Sequence, residues 1–391
     1  MKKVLYLSSL CTVKEYKKMF SKYRTTSSHA SQKFNRLFVK GLIENNCEVY
    51  AISQKIVLNE QDVKKNIELD SESNVNYEYI SWCKKKPHNS IEFILKARRQ
   101  IKKWIKNNPE GIVICDIVLG EMSIALLTLS YLLRGKRFAI VTDVPSIRAG
   151  EQRKGFKAIP YKIKNALIDY YDGYIFLTEQ MNQILNKNHK PYVVIEGIAD
   201  EEVIKYKNTV ENKDRKKIVM MAGLLEEIFG VDILLESFSQ IKNDDLELNF
   251  YGKGSSINVI NNYSAKDPRI KYCGELTNEE IVKKETQATL LVNPRPPIGE
   301  WTSYSFPSKN MEYMASGTPL IAFDLPCIPK EYKQYFFCVK DVDDFKVLLK
   351  QIITKNTEVL NTFGLEAQKW IIKNKSSRVQ VKKFVNMVSK I

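Results

Sequence analysis

"SYSFPSKNMEYMASGTPLIAFD", residues 303–324, is the stretch from which the fold of this chain can be read. Pro307 suits the first turn of a helix, where its missing N–H leaves no bond unmade. Gly317 suits the left-handed position that closes a helix, and Thr318-Pro319 prevents continuation. The spacing therefore predicts a helix from Pro307 to Gly317 that buries Met311, Met314 and Ala315. Lys309 and Glu312, three residues apart, fall on an adjacent exposed face, with Ser305 and Ser308 near the start. "LLVNPR" before the helix and "PLIAF" after it read as strands, so the helix N-terminus is expected at the ligand-binding edge of a parallel sheet. Amides at such an end suit a diphosphate, and a carboxylate one turn in can accept hydrogen bonds from ribose hydroxyls. A plain Lys–Glu surface pair has the same spacing, and the residues alone leave both readings open.

Outward from this stretch the same alternation continues. On its N-terminal side come "KIVMMAG" (strand), "VDILLESFSQI" (helix), "LELNFYGKG" and "IKYCGEL" (strands), "NEEIVKKETQ" (helix) and "ATLLVNPR" (strand), with glycine-marked strand ends at Gly223, Gly252 and Gly274. The first half shows "KKVLYLSS", "CEVYAIS", "GIVICDIV", "RFAIVTDV" and "DGYIFLT" as strands, separated by helical patterns. Short β-branched runs alternating with helices predict α/β architecture with parallel sheets. Two tandem Rossmann-like domains facing a cleft are expected, over residues 1–200 and 210–372, with the polar "VENKDRKK" (210–217) as linker. The last residues read as helices, and the final one (376–391) is expected to pack back on the N-terminal domain.

At 391 residues, 44% hydrophobic and 27% charged, the chain reads as an ordinary globular protein. Seven scattered cysteines without a CxxC pair, and three separated histidines, argue against a disulfide framework or structural zinc, so a reducing cytoplasm is the expected setting. "VLYLSSL" near the start reads as a strand and not a leader. "SIALLTLSYLL" has about half the length needed to span a bilayer.

The net charge of +16 favours a polyanionic neighbour: nucleic acid, anionic lipid or a phosphorylated small molecule. No nucleic-acid module is recognisable, which disfavours the first. Residues 84–108 and 148–167 are basic and amphipathic, with Phe93, Ile94, Ile101, Trp104 and Ile105 on one helical stripe. Such a stripe suits an anionic membrane surface or simply the domain's own core.

"GLLEEIFGVDILLESF", "FYGKG", "YCGELTNEEI" and "FPSKNMEYMASGTPLIA" occur in the order found in the second domain of GT-B glycosyltransferases. With "VTDVP", "GYIFLTEQMN" and "PYVVIEG" in the first half, most of the chain resembles glycosyltransferase family 4, above all its bacterial surface-polysaccharide branch. The resemblance implies a retaining enzyme that moves a hexose from a nucleotide sugar, UDP-linked, to a saccharide acceptor, lipid-linked, with neither metal nor other cofactor.

By that resemblance Glu312 holds ribose, and Phe306, Pro307 and Ser308 form the helix entry at the donor. Gly223, Gly252, Gly274, Glu275 and Leu276 line the nucleotide, and Asp143 in "VTDVP" faces the sugar. Ser8 and Ser9 stand where glycines are usual, and His29 lies in a loop that often meets acceptor. The pattern also departs from the family. Its first glutamate, eight residues before Glu312, is Tyr304 here, so Glu300 is the nearest substitute. Its arginine and lysine for the diphosphate are Leu224 and Phe229, so Lys309 and Arg295 become the candidate cations. Departures of this kind also fit a catalytically silent partner subunit. An NDP-sugar epimerase of the same fold is a third reading, which the scattered histidines disfavour.

Overall fold

The computed structural model describes residues 1–23, 29–83, 89–144, 166–213 and 216–391. The chain divides into two units, Met1–Ile198 with Ser377–Ile391, and Ala199–Ser376. Each is a doubly wound sheet covered by helices.

In the first unit the strands are β1 (Lys2–Ser8), β2 (Cys47–Val57), β3 (Glu68–Glu72), β4 (Val75–Cys83), β5 (Ile112–Asp116), β6 (Arg137–Val141), β7 (Gly173–Phe176) and β8 (Tyr192–Val194). Their order is β3-β4-β2-β1-β5-β6-β7-β8, parallel except for the edge strand β3. Among the described residues before the chain leaves this unit, the helices are α1 (Val13–Tyr23), α2 (His29–Glu44), α3 (Asn89–Asn107), α4 (Gly120–Leu127) and α5 (Glu179–Leu185). β3 and β4 form a hairpin absent from the sequence reading. Ser73 and Asn74 both take positive φ, 51° and 64°, the conformation a tight two-residue hairpin demands. "ELDSE" lacks the apolar alternation that marks a strand, because β3 is an edge whose acidic face works elsewhere: Glu72 accepts from the Val13 amide and Asp70 from the Thr12 hydroxyl.

The stripe on α3 belongs to the core. Phe93, Ala97, Ile101 and Ile105 are buried, while Ile91 and Leu95 stand exposed on another face. The second basic segment, 148–167, lies almost wholly outside the described residues.

The second unit holds β9 (Lys217–Leu224), β10 (Leu246–Lys253), β11 (Ile270–Tyr272), β12 (Leu290–Asn293), β13 (Leu320–Phe323) and β14 (Phe337–Val339) in the order β11-β10-β9-β12-β13-β14, all parallel. Its helices are α6 (Val231–Ser239), α7 (Ile257–Ser264), α8 (Asn278–Gln287), α9 (Ser308–Ser316), α10 (Val342–Thr354) and α11 (Thr357–Lys375). The chain then returns as α12 (Ser377–Val388) to the first unit, where Phe384 packs edge-on to Phe138 and beside Phe38. No helix among the described residues is long and apolar enough to cross a membrane.

Two local expectations change. "DVDD", read as a late loop, opens α10: Asp341 is the N-cap and accepts from the Asp344 amide at 2.9 Å. The segment 210–217, read as a linker, lies inside the second unit. Lys213 donates to the carbonyls of Ala288 (2.7 Å) and Thr286 (3.4 Å), closing the C-terminal end of α8 with a cation.

Burial lowers the Lys213 pKa to about 8. Between that value and its ordinary value the unfolded chain binds the proton and the folded one does not, so stability from this group rises with pH. Relative to Lys213→Met, the wild-type chain should therefore gain thermal stability as pH rises from 7 to 9.5, which paired melting curves at the two pH values would check.

Candidate nucleotide-binding site

The helix predicted from residues 303–324 is α9, and it is bolted to the sheet by its own side chains. The Tyr313 hydroxyl accepts from the Ala222 amide (2.8 Å) and donates to the Ala222 carbonyl (3.0 Å) at the end of β9. Asn310 accepts from Asn293 at the end of β12 (2.6 Å). Met311, Met314 and Ala315 are buried, as the spacing predicts. Gly317 takes φ 77°, and the last carbonyls are met by Gln368 at Ala315 (2.7 Å) and Asn208 at Ser316 (2.9 Å). The helix begins one residue later than predicted: Pro307 occupies the cap position (φ −77°, ψ 85°), and Ser308 is the first helical residue. Phe306 is buried against Tyr332, while Ser308 is exposed at the helix entry.

Lys309 and Glu312 do not lie on an open face. The Lys309 ammonium is 3.0 Å from Glu312 Oε2 and 3.8 Å from Glu285 Oε1, and Glu285, on α8, is fully buried. Asn278, at the start of the same helix, donates to Glu312 Oε1 at 3.2 Å. Burial disfavours the ammonium, but the nearby Glu312 and Glu285 carboxylates outweigh it and hold the Lys309 pKa above its ordinary value. The expectation of an exposed Lys–Glu pair misses α8, because contacts between helices distant in sequence leave no local pattern.

The glycines of the strand ends meet at the same edge. Gly252 (φ 127°) lies in register with Gly223 (φ 131°), and a Cβ on Gly252 would sit 1.9 Å from the Gly223 carbonyl oxygen. No side chain fits there, so the backbones of β9 and β10 approach each other directly. A Cβ on Gly223 would lie 3.2 Å from Lys309 Cε, so the lysine stem runs over bare backbone. The Gly252 amide donates to the Gly274 carbonyl at 2.9 Å. Beyond Gly274 the space is open, with Glu275 exposed and Leu276 half-buried.

Arg295 differs from expectation. It is only 5% exposed, with its guanidinium 4.0 Å from the Trp301 ring centroid, and Phe229 meets the same ring edge-on at 6.1 Å. Phe229, where the sequence resemblance leads one to expect a lysine, thus packs on the tryptophan that carries the arginine. Glu300 is exposed in a short 3-10 turn and accepts from the Tyr304 hydroxyl at 2.9 Å, so the carboxylate expected to substitute lies beside Tyr304. Leu224 is about half exposed, and Lys253, in register with it, adds an exposed cation that the sequence reading passed over.

In the first unit, Asp143 follows β6, half-buried, and accepts from the Val144 amide at 2.9 Å. Ser8 and Ser9 are buried at the end of β1, and Ser8 Oγ accepts from the Leu10 amide. His29 opens α2 and does not lie in a loop. Asp116, also missed, ends β5 with its carboxylate buried and accepts from the Val118 amide. β1 and β5 are neighbours whose chains wind to opposite sides, the switch point where open α/β sheets bind ligands.

The architecture is that of the GT-B glycosyltransferases. The solved structure of trehalose-6-phosphate from E. coli bound with UDP-2-fluoro glucose superposes with a TM-score of 0.72 at 10% identity, covering 99% of each chain. Sucrose-phosphate synthase from Thermosynechococcus elongatus gives 0.69 at 12%, covering 100% of this chain and 99% of that one. The α,α-trehalose 6-phosphate synthase from Burkholderia multivorans gives 0.69 at 10%, with the same coverage. Within the second unit, residues 215–355 match the family model described as glycosyl transferases group 1. No curated protein sequence matches significantly.

Tyr313→Phe should destabilise the chain by about 1–3 kcal/mol, because the buried Ala222 amide and carbonyl lose their partner. Urea unfolding followed by the fluorescence of Trp301 and Trp370, both in the second unit, would measure it.

Proposed function

We propose that the chain is a retaining, family 4-type glycosyltransferase that moves a hexose from a nucleotide sugar to a saccharide acceptor. The observation that carries this is the Glu312 carboxylate, fixed by Lys309 and Asn278 one turn inside α9, where three glycine-marked strand ends converge. Carboxylates in that relation to a strand edge and a helix N-terminus suit a ribose diol, with the diphosphate on the helix amides. UDP is the favoured nucleotide, since the E. coli relative of the same fold is bound with a UDP sugar.

The chemistry asks little of side-chain nucleophiles. The bond from the sugar to the diphosphate breaks, the acceptor hydroxyl bonds to the same face, and its proton passes to a leaving phosphate oxygen. Charge developing on the leaving group is stabilised by the α9 amides and Arg295, with Lys253 a further cation at that edge. Glu300, steadied by Tyr304, orients the sugar from the second unit, and in the first unit Asp143 at the end of β6 and Asp116 with Ser8 and Ser9 mark that unit's own strand-end edge.

The acceptor we favour is a lipid-linked saccharide of capsule, O-antigen or exopolysaccharide assembly, met at the cytoplasmic face of an anionic membrane. The exposed Ile91 and Leu95 on α3, with the exposed or half-exposed Arg98, Arg99, Lys102, Lys103 and Lys106 along the same helix, support that setting. A catalytically silent partner subunit is the second reading, favoured by Leu224, Phe229 and Tyr304 standing where the family carries charge.

A thermal-shift screen over UDP-, GDP- and CMP-sugars, with release of nucleoside diphosphate followed by chromatography, separates the readings. The enzyme reading expects stabilisation by one nucleotide class and slow donor hydrolysis. Glu312→Ala should weaken donor binding at least about tenfold, the size of a lost hydrogen bond to a charged group. Binding without any hydrolysis or transfer would favour the silent subunit, and absence of binding would refute a donor site here.

A further inference from the structure

α8 grips α9 at two points. Asn278 and Glu285 are seven residues apart, two helical turns, and so lie on one face of α8. The first reaches Glu312 Oε1 at 3.2 Å, and the second lies 3.8 Å from the Lys309 ammonium, which in turn is 3.0 Å from Glu312 Oε2. Both oxygens of Glu312 are therefore held, one directly by α8 and one through a lysine that α8 anchors. The lysine stem crosses the bare backbone of Gly223, and the ammonium lies 5.6 Å from the Tyr313 ring centroid, which leaves it little freedom.

We propose that Glu285 is a positioning residue for the nucleotide donor: from its buried place on α8 it fixes Lys309, and Lys309 orients the carboxylate of Glu312. The proposal rests on the reading of Glu312 as the ribose-binding group. It changes the role of Lys309, which was expected to hold diphosphate. Shared between two acidic side chains, the ammonium serves better as a strut for Glu312 than as a cation for phosphate. A buried carboxylate is retained at such a position only with a partner close by, because an uncompensated one is strongly destabilising. With both oxygens of Glu312 held in place, a vicinal diol meets the carboxylate without reorganisation.

Calorimetric titration of the full chain with UDP and 2′-deoxy-UDP tests this, with the GDP and ADP pairs used if UDP does not bind. The wild-type chain should prefer the ribonucleotide by about tenfold or more, the size of a hydrogen bond to a charged group. Glu312→Gln should lose most of that preference. Glu285→Gln should reduce it to within about threefold while leaving the affinity for the deoxynucleotide unchanged. General loosening of the fold would weaken both nucleotides alike, and that outcome would overturn the proposal. So would full ribose preference in a folded Glu285→Gln, with the reading of Glu312 left standing. If the wild-type chain shows no ribose preference, or Glu312→Gln keeps the wild-type preference, the reading of Glu312 fails and the proposal with it. Should Glu285→Gln not fold, Glu285→Leu with Lys309→Met removes both charges together and is judged by the same preference.

Discussion

A single ammonium between two carboxylates organises the second unit. Glu285 is fully buried, a place where a carboxylate needs a partner, and Lys309 brings a positive charge within 3.8 Å of it. That requirement draws α9 against α8. It also demands a path for the lysine stem, which the missing side chain of Gly223 provides. The hydroxyl of Tyr313 then locks the same helix to Ala222, so the end of β9, α8 and α9 form one rigid corner. The N-terminal turn of α9 opens from that corner.

The electrostatics of this edge are unusual for the donor site proposed here, which would have to stabilise a departing diphosphate. Leu224 and Phe229 replace the cations expected beside the first strand of the unit, and Lys309 is engaged by acids. Arg295 survives as a cation, but as part of a stack with Trp301 and Phe229. Phosphate binding here would rely more on helix amides than on flexible ammonium groups. Amides need no reordering when charge develops, and this favours a rigid corner over mobile lysines.

Features with a local cause were legible in the sequence. The parallel strands follow from short β-branched runs, and the C-terminal end of α9 from Gly317, which only a residue tolerant of positive φ fills easily. The glycine-marked strand ends at Gly223, Gly252 and Gly274 were read for the same reason. What escaped depends on partners remote in sequence. The β3–β4 hairpin was missed because its acidic strand serves the N-terminus of α1 and lacks an apolar period. Glu285 and Asn278 look like ordinary surface residues of an amphipathic helix until α9 is set beside them. Arg295 was expected as a plain donor cation, and only the placement of Trp301 shows it covered. Asp116 and Lys253 had no motif of their own, and strand order and register bring them to ligand-binding edges.

The corner of α8, α9 and β9 as a nucleotide-sugar site is tested most directly by a crystal structure of the full chain with UDP and a hexose donor. The ribose should lie on Glu312 and the diphosphate against the first turn of α9, with Gly274 to Leu276 beside the base. A nucleotide bound away from Glu312, or a corner that stays empty at saturating donor, would contradict it.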